Sequence, residues 1–224
     1  MSANDTRQLS YSANVTLRDG RTIAIRTIRA DDRERLAQHF GGLSPDSHYR
    51  RFFGLRRNFG PRELDRLVTP EYPLHIALVA TVVDEHGAEA IIGDARCVAA
   101  SAQPSVAELA LSVSDPWQDR GVATCLTEHI IVCARDAGIS QIIAEVMASN
   151  ATALGFLLSR GFRVVGRASG VCSLARGVKT GPCEADDRSI RERAHEIYLP
   201  RGERDGSSFD DWLAAEGEVG SELH

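Results

Sequence analysis

The chain has 224 residues, 43% hydrophobic and 25% charged, which is ordinary for a soluble globular protein with one full domain and a small appendage. No apolar run reaches the roughly 18 residues of a membrane helix, and the opening "MSANDTRQLS" lacks the features of a signal peptide, so we expect a cytoplasmic protein with no membrane partner. The net charge is −5, but residues 184–224 hold 12 acidic and 5 basic residues, which leaves a net charge of +2 for the rest of the chain. This nearly neutral remainder argues against nucleic acid as an obligatory partner.

The first part of the chain predicts two strands followed by three helices. The strands are residues 14–17 and 21–28, and the turn signal "RDG" separates them. Asp31 or Asp32 is the predicted cap of the first helix, which runs to about Phe40. The second helix is predicted to begin at Ser44 with Pro45 in its first turn, and the third at Gly60 with Pro61.

The remainder predicts a meander of three strands and then an alternation of strands and helices. The meander comprises residues 73–83, 88–99 and 105–113; after it come a long helix, the strand 141–147, a helix 151–160 capped by Asn150, and the strands "FRVVG" and "GVCSLA". This order favours a mixed α/β (α+β) layer fold. We expect one domain over residues 14–176, a linker over 177–188 and a small helical segment over 189–220.

The segment "DPWQDRGVATCLTEHIIVCARDAG" raises a question about how its helix begins. Ser, Thr, Asp or Asn usually accepts hydrogen bonds from the free N–H groups at a helix start, yet Gln118, Arg120, Gly121 and Ala123 stand there. One explanation is that the N–H groups bind a phosphate, and the other is an ordinary tight connection between a strand and a helix.

Two segments carry a resemblance to a known family. The pattern Gln118-x-x-Gly121-x-Ala123, placed between a strand and a long helix, resembles the acyl-CoA-binding turn of the GCN5-related N-acetyltransferase (GNAT) family, and "NATALGFLLSRGF" resembles a second element of it. Residues 14–176 look closest to the acetyltransferase domain of bacterial protein lysine acetyltransferases. The resemblance implies a mixed, mostly antiparallel sheet flanked by helices. Residues 189–220 resemble a short bacterial domain of unknown function, for which we expect a role in docking a partner.

The resemblance also implies the reaction and the site residues. An acetyl group would pass from acetyl-CoA, the co-substrate, directly to an amine in a ternary complex. The pantetheine would pair with the main chain at Leu111 and Val113, and Asn150 would face the pantetheine or the thioester. The pyrophosphate would lie on a run of main-chain amides: Gln118, Arg120, Gly121, Val122, Ala123 and Thr124. Asp119 departs from the glycine common at its place, so its carboxylate must point away from the phosphates.

Glu108 is the candidate general base. It precedes the predicted cofactor site on its strand, shares a face with Ala110 and Ser112, and matches a glutamate proposed as base in lysine acetyltransferases. The alternative is a solvent-facing or ion-paired carboxylate, and Glu145 is a second candidate base. Leu157 stands where many family members carry a tyrosine proposed as the acid, so protonation of the leaving sulfur lacks that group.

Other features leave alternatives open. The five cysteines form no CxxC pair, so we expect structural thiols and no metal. The arginine-rich segment 48–66 is either a solvated helix face or a rim near the acceptor site, and His75 is expected to be structural. The acceptor is a protein lysine or a small amine, and a non-catalytic acyl-CoA-binding module is the alternative from another class.

Overall fold

The computed structural model describes residues 9–54 and 59–179. Within this part the chain forms eight strands and five helices, and each lies close to a predicted element. The strands are β1 (Ser12–Thr16), β2 (Thr22–Thr27), β3 (His75–Val83), β4 (Glu89–Ala100), β5 (Gln103–Val113), β6 (Gln141–Met147), β7 (Arg163–Ala168) and β8 (Val171–Gly177). The helices are α1 (Arg33–Gly41), α2 (Pro45–Phe52), α3 (Pro61–Val68), α4 (Val122–Asp136) and α5 (Ala151–Ser159).

The strands form one mixed sheet in the order β1-β2-β3-β4-β5-β6-β8-β7. Every neighbouring pair is antiparallel except β5 and β6, which α4 connects as a parallel crossover. The predicted fold class, a mostly antiparallel mixed sheet flanked by helices, is confirmed.

The chain divides into two compact units. Among the described residues, the first unit contains all the strands of the sheet, and Gly155–Phe162 belong to the second. The predicted helical segment 189–220, and all but the first three residues of the predicted linker, lie outside the described residues. Among the described residues, no helix is both long and apolar enough to cross a membrane.

Local capping explains where α2 and α3 begin. The Ser44 hydroxyl accepts a hydrogen bond from the Ser47 amide at 3.2 Å, and Pro45 occupies the first turn, as predicted. At α3, the Glu63 carboxylate accepts from the Gly60 amide at 2.9 Å. Asp32 stands at the N-cap position of α1, but its carboxylate does not cap that helix, so the predicted capping role is wrong.

Asp32 is instead fully buried in an ion pair. The guanidinium of Arg26 donates to both of its carboxylate oxygens, at 2.6 and 2.8 Å, and the Arg29 amide donates at 2.8 Å. Burial alone would raise the pKa of Asp32, but the bonds from Arg26 and Arg29 hold it below its usual value. This pair ties the start of α1 to β2.

The two faces of the sheet are covered by different helices. On one face α1, α2 and α3 enclose a core that includes Leu36, Phe40, Val68 and Val79. On the other face α4 packs so closely on β4 that a methyl group at Gly93 would lie 2.7 Å from Leu126 Cδ1. Gly93 therefore permits the close approach of α4, and this contact fixes the position of its first turns.

Candidate active site

The strands β5 and β6 part beyond Glu108. They pair at Val106–Gln141, Ala107–Ile142 and Glu108–Ile143, after which β5 continues to Val113 and β6 to Met147 without pairing to each other. The sheet therefore opens between the ends of two adjacent strands.

The open edge of β5 presents the main-chain groups of Leu111 and Val113. The Ser114 amide donates to the Ile92 carbonyl on β4 at 2.9 Å, and Ser112 stands opposite Asp94 of the same strand. Because main-chain groups alternate in direction along a strand, those of Leu111 and Val113 point away from β4, toward the gap. The carbonyl of Val113 already accepts a hydrogen bond from the Gln118 side chain at 3.1 Å, which leaves its amide for a ligand.

The first turn of α4 lies just beyond this edge and has no side-chain cap. Its N-cap residue is Gly121, with φ of 91°, and the first helical hydrogen bond runs from the Cys125 amide to the Gly121 carbonyl. Within the described part of the chain, no hydrogen bond uses the amides of Gly121, Val122 or Ala123. These amides and the positive end of the helix dipole suit an anion.

Asp119 adopts a left-handed backbone conformation, with φ of 58°. Glycine adopts this conformation without steric cost, whereas a residue with a Cβ is strained there. The conformation gives a physical reason for a preference for glycine at this place in the turn.

The side chains of Gln118 and Arg120 are engaged with the protein. Gln118 Nε2 lies 3.2 Å from the Ser47 hydroxyl, and the Arg120 guanidinium donates to the Pro116 carbonyl at 2.9 Å and to Asp19 at 3.0 Å. Both residues thus bring their main chain to the turn while their side chains brace it.

Glu108 is exposed and lies on the sheet face that α1–α3 cover. In the register with β4, Glu108 stands opposite Val98. Ala110 and Ser112 stand opposite Arg96 and Asp94, respectively. The prediction that Glu108, Ala110 and Ser112 share one face of the sheet is confirmed. Val98 is 45% exposed beside it. The last β5–β6 pair includes Glu108, which places it where the gap begins. Glu145, the second candidate base, is also exposed, on β6.

Asn150 lies at the end of β6, across the gap from β5. Its Oδ1 caps α5 by accepting from the Ala153 amide at 3.1 Å, which confirms the predicted cap. The same oxygen lies 3.4 Å from Nη1 of Arg50 on α2. Leu157, in the next turns of α5, is buried.

Two polar clusters that the sequence did not suggest tie α1 and α2 to the end of β5. The first is His39, whose Nε2 and Nδ1 lie 2.9 Å from the hydroxyls of Ser112 and Ser114. Burial lowers the pKa of His39, so the ring is neutral near pH 7 and donates to only one of the two hydroxyls.

The second cluster is built on Asp115. Its carboxylate accepts from the Ser44 amide at 2.9 Å, the Ser44 hydroxyl at 2.7 Å and the Ser47 hydroxyl at 2.9 Å. Partial burial works to raise the pKa of Asp115, but these bonds hold it below its usual value. The turn that precedes α4 is thereby attached to the start of α2.

A third group missed by sequence reasoning consists of charges buried under α2. Asp94 and Arg96 of β4 form an ion pair, with Nε–Oδ2 of 3.0 Å and Nη2–Oδ1 of 2.9 Å, and Arg51 of α2 approaches Asp94. His75, 3.4 Å from Arg96, has its pKa lowered by burial to about 4. The available signal was an Asp and an Arg two residues apart within the apolar strand "AIIGDARCVA".

The remaining predictions concern cysteines, metal and aromatic residues. The described cysteines at 97, 125, 133 and 172 are free thiols, and Cys183 lies outside the described residues. Among the described residues, no cluster of three or more His, Cys, Asp or Glu could hold a metal ion. Phe52 is partly buried and packs against the core, whereas Phe53 is 42% exposed.

Comparison with known proteins identifies similar sequences. The model of the acetyltransferase (GNAT) family matches residues 46–162, and that of a protein of unknown function (DUF2934) matches residues 185–220. An acetyltransferase of Pseudomonas aeruginosa is 34% identical over 151 residues, which are 65% of this chain and 80% of that protein. The acetyltransferase Pat of Mycolicibacterium smegmatis is 30% identical over 136 residues, which are 61% of this chain and only 40% of Pat.

Solved structures show the same fold. The GNAT domain of PAT from S. lividans superposes with a TM-score of 0.68 at 32% identity, over 74% of this chain and 96% of that domain. An acetyltransferase structure from Salmonella typhimurium, determined with its cofactor acetyl-CoA, superposes with a TM-score of 0.57 over 72% of this chain and 97% of that one. Its identity is 18%, so this second likeness concerns the fold alone.

Proposed function

Since the chain belongs to the acetyltransferase (GNAT) family, we propose that this acetyl-CoA-dependent enzyme transfers its acetyl group to the side-chain amine of a protein lysine. The family gives the reaction type and the acetyl donor. The acceptor class and the roles of individual residues are our proposal.

The parting of β5 and β6 beyond Glu108 carries the assignment of the cofactor site. The main-chain groups of Leu111 and the amide of Val113 offer the pantetheine arm a strand edge with which to pair. From Gln118 to Thr124 the chain turns into α4, where the amides of Gly121, Val122 and Ala123 suit the pyrophosphate. Arg120 contributes its main chain, and Asn150 its Nδ2 donor from the opposite side of the gap.

In the proposed reaction Glu108 acts as general base. A lysine amine has a reference pKa of about 10.4, so only about one molecule in 1,000 or fewer is neutral near pH 7. The carboxylate of Glu108 accepts the amine proton, directly or through one water, as nitrogen attacks the thioester carbonyl carbon. A C–N bond forms, the C–S bond breaks, and the sulfur leaves as the thiolate of CoA.

Departure of the thiolate requires little protonation. A thiol has a pKa of about 8.5, so the thiolate is a competent leaving group near neutral pH. The reaction therefore tolerates Leu157 at the place where many family members carry a tyrosine.

Exposure around Glu108 supports a macromolecular acceptor. Glu108 and Val98 stand opposite each other on one sheet face, and both are exposed. A lysine presented on a protein surface reaches an open base of this kind, whereas a site for a small amine buries most of its ligand. The resemblance to bacterial protein lysine acetyltransferases supports the same class.

The test combines labelled acetyl-CoA with native lysate and compares three enzymes: wild type, Glu108→Gln and Glu145→Gln. We expect wild type to label the protein fraction and Glu108→Gln to lose about 10²- to 10⁴-fold in rate while still binding CoA, with the largest loss below pH 8. Glu145→Gln is matched in charge and lies on the neighbouring strand, and we expect it to remain within about threefold of wild type.

Each alternative has its own outcome. Label confined to metabolite-sized products would replace the lysine acceptor with a small amine. Rates that Glu108→Gln leaves unchanged across the pH range would remove Glu108 as the base, and a loss in Glu145→Gln alone would transfer the role to Glu145. CoA binding without transfer to any acceptor would favour a sensor over an enzyme.

A further inference from the structure

Asn150, at the end of β6, has most of its hydrogen-bonding groups occupied by the protein. Its main-chain amide donates to the Met147 carbonyl at 2.9 Å, and its main-chain carbonyl accepts from the Leu154 amide at 3.0 Å. Its side-chain oxygen Oδ1 accepts from the Ala153 amide at 3.1 Å and from Nη1 of Arg50 at 3.4 Å. Within the part of the chain that the structure describes, no hydrogen bond uses Nδ2. The donors that Asn150 keeps for a ligand are therefore those of Nδ2.

The two donors on Oδ1 determine the direction in which Nδ2 points. Donors approach an amide oxygen near the plane of its C=O group, one at each lone pair. A single donor, such as the Ala153 amide at the start of α5, leaves the amide plane free to turn about that hydrogen bond. A second donor from Arg50 fixes the plane, and a flipped amide would set Nδ2 against both donors. The contact with Arg50 thus selects one direction for Nδ2.

Arg50 is itself held in place by α2. Its Nη2 lies 2.8 Å from Oδ2 of Asp46, four residues earlier on the same helix. One arm of the guanidinium fork therefore rests on α2, while the other reaches Asn150 at the end of β6. The start of α2 is attached to the turn before α4, since the Ser47 hydroxyl donates to Asp115 at 2.9 Å. These contacts connect Asn150 with the turn on the opposite side of the gap.

The charge of Arg50 is the alternative explanation of its place beside the gap. The side chain is 41% exposed, and exposed ion pairs stabilise proteins only weakly. The planar guanidinium serves Asp46 and Asn150 with separate nitrogens, whereas the compact ammonium of a lysine carries the same charge without the fork. Substitution by lysine therefore distinguishes the charge from the geometry.

We propose that Arg50 is a positioning residue for the cofactor: it fixes the side-chain amide of Asn150 so that Nδ2 donates to a carbonyl oxygen of the pantetheine arm. This inference rests on the proposed cofactor site and extends it to a residue of α2. The amide carbonyls of pantetheine need a donor once the arm leaves water. A donor that already points to the gap loses little rotational freedom on binding, so fixing it strengthens the binding of CoA.

The test is calorimetric titration with CoA and with 3′-phospho-ADP, which is the nucleotide part of CoA without pantetheine. For Arg50→Gln we expect CoA to bind about two- to fivefold more weakly, while the affinity for 3′-phospho-ADP stays the same. A residue that only stabilised the fold would not separate the two ligands in this way. Arg50→Lys should show the same loss as Arg50→Gln, because it keeps the charge but lacks the fork.

A second pair of variants tests whether Arg50 acts through Asn150. Asn150→Ser keeps a capping oxygen for α5 and removes both Nδ2 donors, so CoA should bind about three- to tenfold more weakly. In the double variant Arg50→Gln/Asn150→Ser, CoA should bind no more weakly than in Asn150→Ser, because Arg50 then has no amide to position.

Arg33→Gln is the matched control. Arg33 of α1 lies 2.8 Å from Asp65 of α3 with 40% of its side chain exposed, so the variant loses an equally exposed ion pair between the guanidinium and a carboxylate. It should bind both ligands with wild-type affinity. Circular dichroism establishes that every variant is folded.

The outcomes separate this inference from the proposed function. Unchanged CoA affinity in Arg50→Gln, or additive losses in the double variant, would overturn the action of Arg50 through Asn150. Wild-type affinity in Arg50→Lys, or an equal loss for both ligands in Arg50→Gln, would also overturn it and leave only a charge that attracts the phosphates. Unchanged CoA affinity in Asn150→Ser would remove the premise while the main-chain site for the diphosphate stands. No heat with CoA in wild type, together with no acetyl transfer, would overturn the proposed function as well.

Discussion

Gly93 sets the distance between β4 and the first turns of α4, and an added methyl group tests its importance. In Gly93→Ala the new Cβ would lie 2.7 Å from Leu126 Cδ1 and 3.3 Å from both Val122 Cγ1 and the Ser112 carbonyl oxygen. Ordinary contacts between carbon atoms are about 3.5–4.0 Å, so the neighbours must withdraw by about 1 Å. Leu126 is fully buried, which leaves the end of α4 itself to move.

The energetic cost follows from that overlap. Overpacking by one methyl group costs about 1–3 kcal/mol, and replacing glycine in a strand returns about 0.5–1 kcal/mol, so we expect a net loss of about 1–2 kcal/mol. For a domain of this size the melting temperature falls by about 2–8 °C. The amides of Gly121, Val122 and Ala123 move with the helix, so CoA should bind about tenfold more weakly.

Urea denaturation followed by circular dichroism gives the stability, and calorimetric titration with CoA gives the affinity. Gly166→Ala on β7 is the control, because its Cβ would stand 3.8 Å from Ser173, an ordinary contact. It should change the unfolding free energy by less than about 0.5 kcal/mol and leave CoA affinity unchanged. Wild-type stability and affinity in Gly93→Ala would refute the claim that this contact positions the cofactor turn.

Two further substitutions test the turn and the buried histidine. Asp119→Gly removes a carboxylate and a strained left-handed residue beside the proposed diphosphate site, so CoA should bind about three- to tenfold more tightly at low salt. Asp119→Asn removes the charge alone and separates the two effects. Equal CoA affinities in wild type and both variants would contradict the placement of the diphosphate at this turn. For His75 the folded pKa of about 4 is below the unfolded value, so its stabilisation is complete above pH 6.5 and is lost as the pH falls toward 4. Relative to His75→Gln, the unfolding free energy of wild type should therefore fall by about 1 kcal/mol between pH 7 and 5, after allowance for solvent screening. A difference in unfolding free energy between the two proteins that does not change with pH would contradict the burial of a neutral ring.

Short-range signals in the sequence located most of the elements. Ser44 and Pro45 start α2, and Asn150 caps α5, because capping involves side chains and amides only two or three residues apart. The uncapped start of α4 at Gly121 could be predicted as well, because the absence of a capping side chain is also a local property of the sequence. Strand periodicity was sufficient to place Glu108, Ala110 and Ser112 on one face.

Contacts between distant segments could not be predicted this way. The Asp115 carboxylate binds Ser44 across 71 residues, and the Arg120 side chain meets Asp19 across 101. The sequence predicted a main-chain role for Gln118 and Arg120 at the turn but did not indicate that their side chains bind the protein and brace it. Such pairs depend on how sheet and helices pack, which no local pattern encodes.

The amino-acid sequence by itself determined which segments are strands and helices, which residues alternate toward one face, and which helix begins without a cap, because each of these properties depends on neighbours within a few residues. Only the tertiary structure decided that β5 and β6 separate after Glu108 and that Arg51 of α2 comes within 3.8 Å of the buried Asp94. These arrangements result from sheet register and helix packing, in which the whole core must be satisfied at once.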